Sequence, residues 1–189
     1  MTRIIRPAVP EDISRIAAIY GDAVANGTAS FELTVPGETE MLGRFETLTR
    51  QGYPYLIVEQ GGQLAGYAYA GPYRPRPAYR WLVENSIYLD ASMRGQGHGR
   101  ALLEALISEC ANLGFRQMMA VIGDSENAAS VGLHKACGFE WTGVMKKVGW
   151  KFNRWLDVVL MQLSLGEGGE IPADENSLPG RMYEIQKTM

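Results

Sequence analysis

Cysteine is scarce in this chain. Cys110 and Cys137 are the only two. They form no CxxC pair, and each sits in an apolar, helix-like stretch. They read as small buried hydrophobes in a reducing compartment, with no metal-ligand spacing. Basic excess is missing too. Lys and Arg number 18 against 21 Asp and Glu, a formal net charge of −3, so there is no basic footprint for a nucleic acid. No apolar run is long enough to span a bilayer, and 1–10 lacks the apolar core of a secretory signal. The expectation is a cytoplasmic protein with no metal, membrane or nucleic-acid partner.

What is present is an ordinary globular mixture, 46% hydrophobic and 21% charged over 189 residues, enough to bury the core of one domain. Strand-like and helix-like patterns alternate. A short strand at 3–6 precedes a helix opened by Pro10-Glu11-Asp12, with Ile13, Ile16, Ala17 and Tyr20 at helical spacing and Asn26-Gly27-Thr28 as its break. A second helix spans Glu38–Arg50. Strands at 55–59 and 64–70 flank Gly61-Gly62 and read as a hairpin. A strand at 86–89 leads to a helix at 100–112, ended by Gly114. A strand at 118–122, a helix at Ala128–Ala136 and a strand at 155–163 complete the pattern. Residues 166–180 hold Gly, Glu, Pro and Asp with few large apolar side chains. The expected organisation is a domain over 1–165 and a flexible tail over 166–189.

The sharpest local signal is Ile87-Tyr88-Leu89-Asp90-Ala91-Ser92-Met93-Arg94-Gly95-Gln96-Gly97-His98-Gly99-Arg100. Three glycines at alternate positions remove the Cβ atoms that would keep a ligand off the backbone. The helix that follows adds unpaired N–H groups and a positive dipole end. Together they suit a pyrophosphate, with Arg94 and Arg100 as cationic partners. The segment is not a Walker A loop, because no GK[ST] follows. Leu102 stands where the third glycine of a dinucleotide fingerprint belongs. Glycines alone leave a ligand-free tight turn equally open.

Arg94 to Gly99 resembles the Q/R-x-x-G-x-G/A motif of the GNAT superfamily of acetyl-CoA-dependent N-acetyltransferases. The likeness extends over about 3–163. It resembles the phosphinothricin and methionine sulfone/sulfoximine N-acetyltransferase branch through Ile19-Tyr20, Gln51-Gly52-Tyr53-Pro54, Gly66-Tyr67-Ala68, Val83 to Tyr88, Asn127-Ala128-Ala129-Ser130, Gly138-Phe139 and Lys151 to Asp157. The resemblance implies a mixed α/β (α+β) fold in a single domain, with a splayed central sheet flanked by helices, and acetyl-CoA as co-substrate. It implies that the amides of Arg94, Gly95, Gln96, Gly97, His98, Gly99 and Arg100 bind the pyrophosphate. Ile87, Tyr88 and Leu89 then line the pantetheine arm, and Asn127 and Ser130 lie beside it. It also implies a homodimer with active sites near the subunit interface.

Acetyl transfer to an amine needs an uncharged nucleophile, hence a base. Glu84, just before the coenzyme strand, is the candidate, and the resembled branch carries a glutamate there. Without that resemblance it reads as a solvated strand-end carboxylate. Asn85 departs from the histidine common at its position in that branch. Backbone N–H groups of 87–89 are the expected donors to the developing oxyanion. His134 stands where many superfamily members have a tyrosine and could protonate the leaving thiolate; it could equally only pack. The loop from Tyr73 to Trp81 is rich in arginine and aromatics, and arginine pairs with carboxylates. The substrate positions carried over are Arg74, Arg76 and Tyr79, with Phe31, Glu84 and Ser86. Trp150 and Trp155 read as core or dimer contacts. The expected acceptor is a small amino-acid-like amine: phosphinothricin, methionine sulfone or sulfoximine, or a related amino acid. A protein or peptide amine acetyltransferase and a non-catalytic acyl-CoA-binding module are the alternatives.

Overall fold

The computed structural model describes residues 2–187. Seven strands form one sheet: β1 (Arg3–Pro7), β2 (Tyr55–Gln60), β3 (Gln63–Pro72), β4 (Leu82–Leu89), β5 (Gln117–Gly123), β6 (Glu140–Lys151) and β7 (Arg154–Ser164). Their order is β1-β2-β3-β4-β5-β7-β6. Five helices accompany them among the described residues: α1 (Ile13–Asn26), α2 (Glu38–Arg50), α3 (His98–Asn112), α4 (Ala128–Ala136) and α5 (Leu178–Lys187).

Every neighbouring pair is antiparallel except β4 and β5. That pair is joined by the crossover through α3, the long connection a parallel pair requires. The sheet separates two cores. Leu102, Leu103 and Leu106 of α3 pack with Val83, Met118 and Val159 on one face. Ile13, Ile16 and Tyr20 of α1 and Met41 and Phe45 of α2 pack with Tyr55, Ile57 and Tyr67 on the other. The second face carries an aromatic wall. Tyr55 stacks on Tyr69 at 5.0 Å, Tyr67 on Tyr88 at 5.4 Å, and Tyr20 meets Tyr88 edge-on at 5.0 Å. Such pairs add about 0.5–1.5 kcal/mol each beyond area burial, and they stiffen the strands beneath the site.

Two features differ from the sequence reading. β6 has no counterpart in it. Register shifts at Trp141/Gly143 and Met145/Gly149 and a positive φ at Lys147 break the two-residue alternation that marks a strand. The segment expected as a flexible tail contains α5, and Leu178 and Met182 pack against the α3-side core. Arg80 also pairs with Glu175 at 3.0 Å. The few apolar residues of this stretch reach a groove that local composition does not reveal.

Candidate active site

The parallel ladder ends early. β4 and β5 pair from Leu82↔Gln117 to Asn85↔Ala120 and no further. β4 continues to Leu89 against β3, and β5 continues to Gly123 against β7. The strands therefore part after Asn85, and backbone groups of 86–89 that would face a partner strand face a gap. Buried peptide groups need partners, so this gap is built for a ligand that can donate and accept along an extended strand. A cleft of about 50 Å³ fills it, lined by Asn85, Ser86, Ile87, Tyr88, Ala120, Val121, Ile122, Gly123, Asn127, Ser130 and His134, with Ala29 above.

The glycine turn lies beyond the end of β4. Gly95 and Gly97 adopt φ of 75° and 79°, left-handed values that glycine takes without steric cost. Gly97 caps α3, whose first internal hydrogen bond runs from Ala101 N to Gly97 O. The N–H groups of His98, Gly99 and Arg100 precede it and have no intrahelical acceptor. Arg94 and Arg100 are exposed beside them. The turn and the gap together fit acetyl-CoA: orphan amides for its diphosphate and an unpaired strand edge for its amide-bearing arm.

Glu84, Ser86 and Tyr88 alternate onto the α1/α2 face. Burial raises the Glu84 carboxyl above the usual range, and nearby Arg74 partly opposes this. Tyr69 and Ser86 share a hydrogen bond beside it. The loop after α1 roofs this side. Lys151 Nζ donates to Ser30 O at 2.8 Å and Tyr20 Oη donates to Glu32 Oε1 at 2.8 Å. Arg44 Nη1 donates to Glu32 at 2.6 Å. The Phe31 ring lies directly on Gly149. A methyl there would sit 2.6 Å from Phe31 Cδ2 and nearer still to Cε2. Gly149→Ala should therefore lift the loop, cost about 1–3 kcal/mol of stability and raise the acceptor KM more than the acetyl-CoA KM in steady-state assays.

His134 reaches the gap from the opposite face. It is buried in α4, with Nδ1 2.8 Å from Ser130 O and Nε2 3.0 Å from Asn85 Oδ1. Burial lowers its basicity, and the Ser130 carbonyl counteracts this. Asn127 Oδ1 accepts from Ser130 N at 3.2 Å and caps the same helix.

The structure brings together Ser86, Ile87, Tyr88, Asn127, Ser130 and His134 around one gap, with Phe31 in its roof; Glu84 stands one rung before the strands part, on the α1/α2 face. Other expected contacts are qualified. The ring of Tyr88 is committed to the aromatic wall, and Ile87 and Leu89 pack toward α3, so these residues present backbone. The His98 ring is buried with both nitrogens unpartnered, which leaves its N–H for a ligand. Gln96 is exposed and turns back toward Ser92 O. Arg100 pairs with Glu104 at 2.7 Å. Arg76 is exposed and Tyr79 stands against Tyr73 at 6.1 Å, on the loop outside the gap.

The place of Tyr20, Glu32, Arg44, Tyr69 and Lys151 in the site escaped the sequence reading, because no local spacing ties them to Glu84. So did that of Arg3. Its guanidinium donates to Gln96 O at 2.8 Å and lies 3.4 Å from where a Gly97 Cβ would stand. Arg3→Ala should weaken CoA binding several-fold, about 1 kcal/mol for a charged contact to the turn, as read by calorimetry. Cys110 is fully buried, which pushes its thiol up to about 12, far from nucleophilic use.

Residues 5–160 match the acetyltransferase (GNAT) domain family. The chain belongs to the GNAT family of acetyltransferases, enzymes whose acetyl donor is acetyl-CoA. It is 50% identical over 164 residues to phosphinothricin N-acetyltransferase of Alcaligenes faecalis, covering 87% of this chain and 83% of that protein. It is 45% identical over 166 residues to the L-methionine sulfoximine/L-methionine sulfone acetyltransferase of Pseudomonas aeruginosa, covering 87% and 96%. The crystal structure of a phosphinothricin acetyltransferase from Sinorhizobium meliloti in complex with AcCoA superposes with a TM-score of 0.92 at 48% identity, covering 95% and 97%. Among the described residues no helix is long and apolar enough to cross a membrane.

Proposed function

We propose that this enzyme acetylates the α-amine of a small amino-acid-like acceptor, in the class of phosphinothricin, methionine sulfone and methionine sulfoximine. The observation that carries the reading is a half-buried carboxylate, Glu84, beside the gap where β4 and β5 part. When bound, acetyl-CoA supplies an activated acetyl group as a thioester. The chain's residues do the rest. Glu84 takes the proton from the acceptor's ammonium, directly or through one water. Its raised basicity suits this work, because a base operates best with a pKa near the working pH. N–H groups of the parted strand stabilise negative charge that develops on the acetyl oxygen. His134 Nε2 gives a proton to the leaving sulfur: the N–H bond breaks, the S–H bond forms and the ring becomes neutral. Arg74, beside Glu84, is the group for the acceptor's carboxylate, with Arg76 and Tyr79 on the same loop and Phe31 above.

The protein works as a cytoplasmic homodimer in this reading. Val148, Trp150, Phe152 and Trp155 are each more than half exposed on the β6–β7 hairpin, an apolar aromatic cluster suited to an interface. The 1–165 stretch is the catalytic unit, with the segment after it packed on its surface. The test is thiol release from acetyl-CoA against free amino acids, the two methionine analogues, phosphinothricin and a peptide N-terminus. Turnover with the small amines and none with the peptide supports the reading. Turnover with the peptide alone, or none with any amine, overturns it.

A further inference from the structure

We propose that Asn85 is a positioning residue that holds a proton on Nε2 of His134, keeping the ring loaded as the acid for the thiolate. This rests on the role given to His134 above.

Three polar contacts run in a line through the floor of the gap. Ser130 O lies 2.8 Å from His134 Nδ1, His134 Nε2 lies 3.0 Å from Asn85 Oδ1, and Asn85 Nδ2 lies 2.9 Å from Met119 O. Both ends of the line are backbone carbonyls, which only accept. Each contact needs one proton between its heavy atoms, so the line needs three. The Asn85 nitrogen supplies one and a neutral imidazole supplies one. Flipping the amide does not help. Its nitrogen would then serve His134 Nε2, and its oxygen would face the Met119 carbonyl with no proton between them. With a neutral ring protonated on Nε2, only the Ser130 hydroxyl, 3.5 Å from Nδ1, is left to donate there; closing the shorter contact to the Ser130 carbonyl takes protons on both nitrogens.

Burial pulls the other way, because a charged ring is costly in a dry site. The same dryness strengthens each acceptor's hold on the ring. Asn85 and His134 are both almost fully buried, at 6% and 2% exposure, so water does not dilute these contacts. The groups that face the ring are Ser130 from its own helix, Asn85 from β4 and the edge-on ring of Phe139 at 5.0 Å. Neither a carboxylate nor a cation is among the influences on its titration. Asn85 Oδ1, 3.0 Å from Nε2, is the acceptor that reaches the ring from outside α4. It is also the last residue of β4 paired with β5, so the ladder's final rung fixes the amide where the strands part.

The experiment is imidazole ¹⁵N NMR across pH on the enzyme without substrates. The chain has two histidines, and a His134→Gln sample assigns the signals. The wild-type ring should show a proton on Nε2, and Asn85→Leu should lower the midpoint of its titration and leave the neutral ring protonated on Nδ1. Asn85→Asp should move the midpoint upward. The alkaline limb of kcat should follow: Asn85→Leu loses about ten-fold at pH 8.5 and less than about three-fold at pH 6, with the acetyl-CoA Kd unchanged within about two-fold. An identical midpoint and tautomer in wild type and Asn85→Leu would overturn the proposal. If Asn85→Leu does not fold, the wild type decides alone: a ring whose Nε2 is unprotonated from pH 6 to 8 overturns it. Absence of acetyl transfer to any amine would sink the reaction itself, whereas an unmoved titration in an active enzyme sinks only the role of Asn85.

Discussion

Glu84→Gln lowers kcat by about 10²–10⁴-fold at neutral pH while the protein's melting temperature rises. The loss follows from chemistry: an amide cannot accept the ammonium proton, and no other carboxylate shares this position at the parting strands. The gain follows from linkage. Burial raises the folded-state pKa of Glu84 above its unfolded value, so the folded state disfavours the charge. Its contribution to stability is whole below the ordinary glutamate range, near ~4.3, and is lost as pH rises through the raised folded value. Above that raised value the loss is complete, and the uncharged glutamine avoids it. The activity of the wild type has the opposite slope. Turnover needs the carboxylate, so kcat/KM falls as pH drops through a pKa above the ordinary carboxylate range. Thermal melts and pH–rate profiles check both. A variant that is slow and also less stable would mean Glu84 is structural.

Gly97→Val abolishes most coenzyme affinity, by about 10–100-fold, and leaves the fold intact. A β-branched side chain at φ 79° is strained by at least about 1–2 kcal/mol, which alone is a factor of about ten. The added methyls also enter the space beside the Arg3 guanidinium, where the turn's amides meet their ligand. Gly43→Ala is the control. Its Cβ meets nothing within 4 Å on the solvent side of α2, and alanine is the better helix former. Calorimetry with CoA separates the two, and equal affinity in Gly97→Val and wild type would remove the turn from coenzyme binding.

Periodicity made most of the fold legible. α2 and α4 lie where the apolar spacing puts them, and Gly61-Gly62 closes the β2–β3 hairpin. α3 starts two residues before the spacing suggests, because Gly97 caps it rather than the glycine at 99. β6 was hidden by its bulges, and α5 by a segment poor in apolar residues. In the site, the glycine turn was visible because a ligand approaching backbone demands missing side chains at alternate positions. Glu84 gained its role through likeness to a family, since one strand glutamate carries no chemical signature. Lys151, Glu32 and Arg3 gave no local sign of a role in the site. They act across 121, 12 and 93 positions on Ser30, Arg44 and Gln96, and only the folded chain brings such pairs together. Asn85 is the reverse case: a departure from the resembled branch that the structure turns into a contact between β5 and His134.

A crystal structure of the enzyme with CoA and methionine sulfone tests the central claim most directly. The account predicts the diphosphate on the amides of 95–100, the pantetheine arm along 86–89, and the acceptor's amine within hydrogen-bond reach of Glu84, or one water away. An acceptor amine remote from Glu84, or a coenzyme lying outside the gap between β4 and β5, would contradict it.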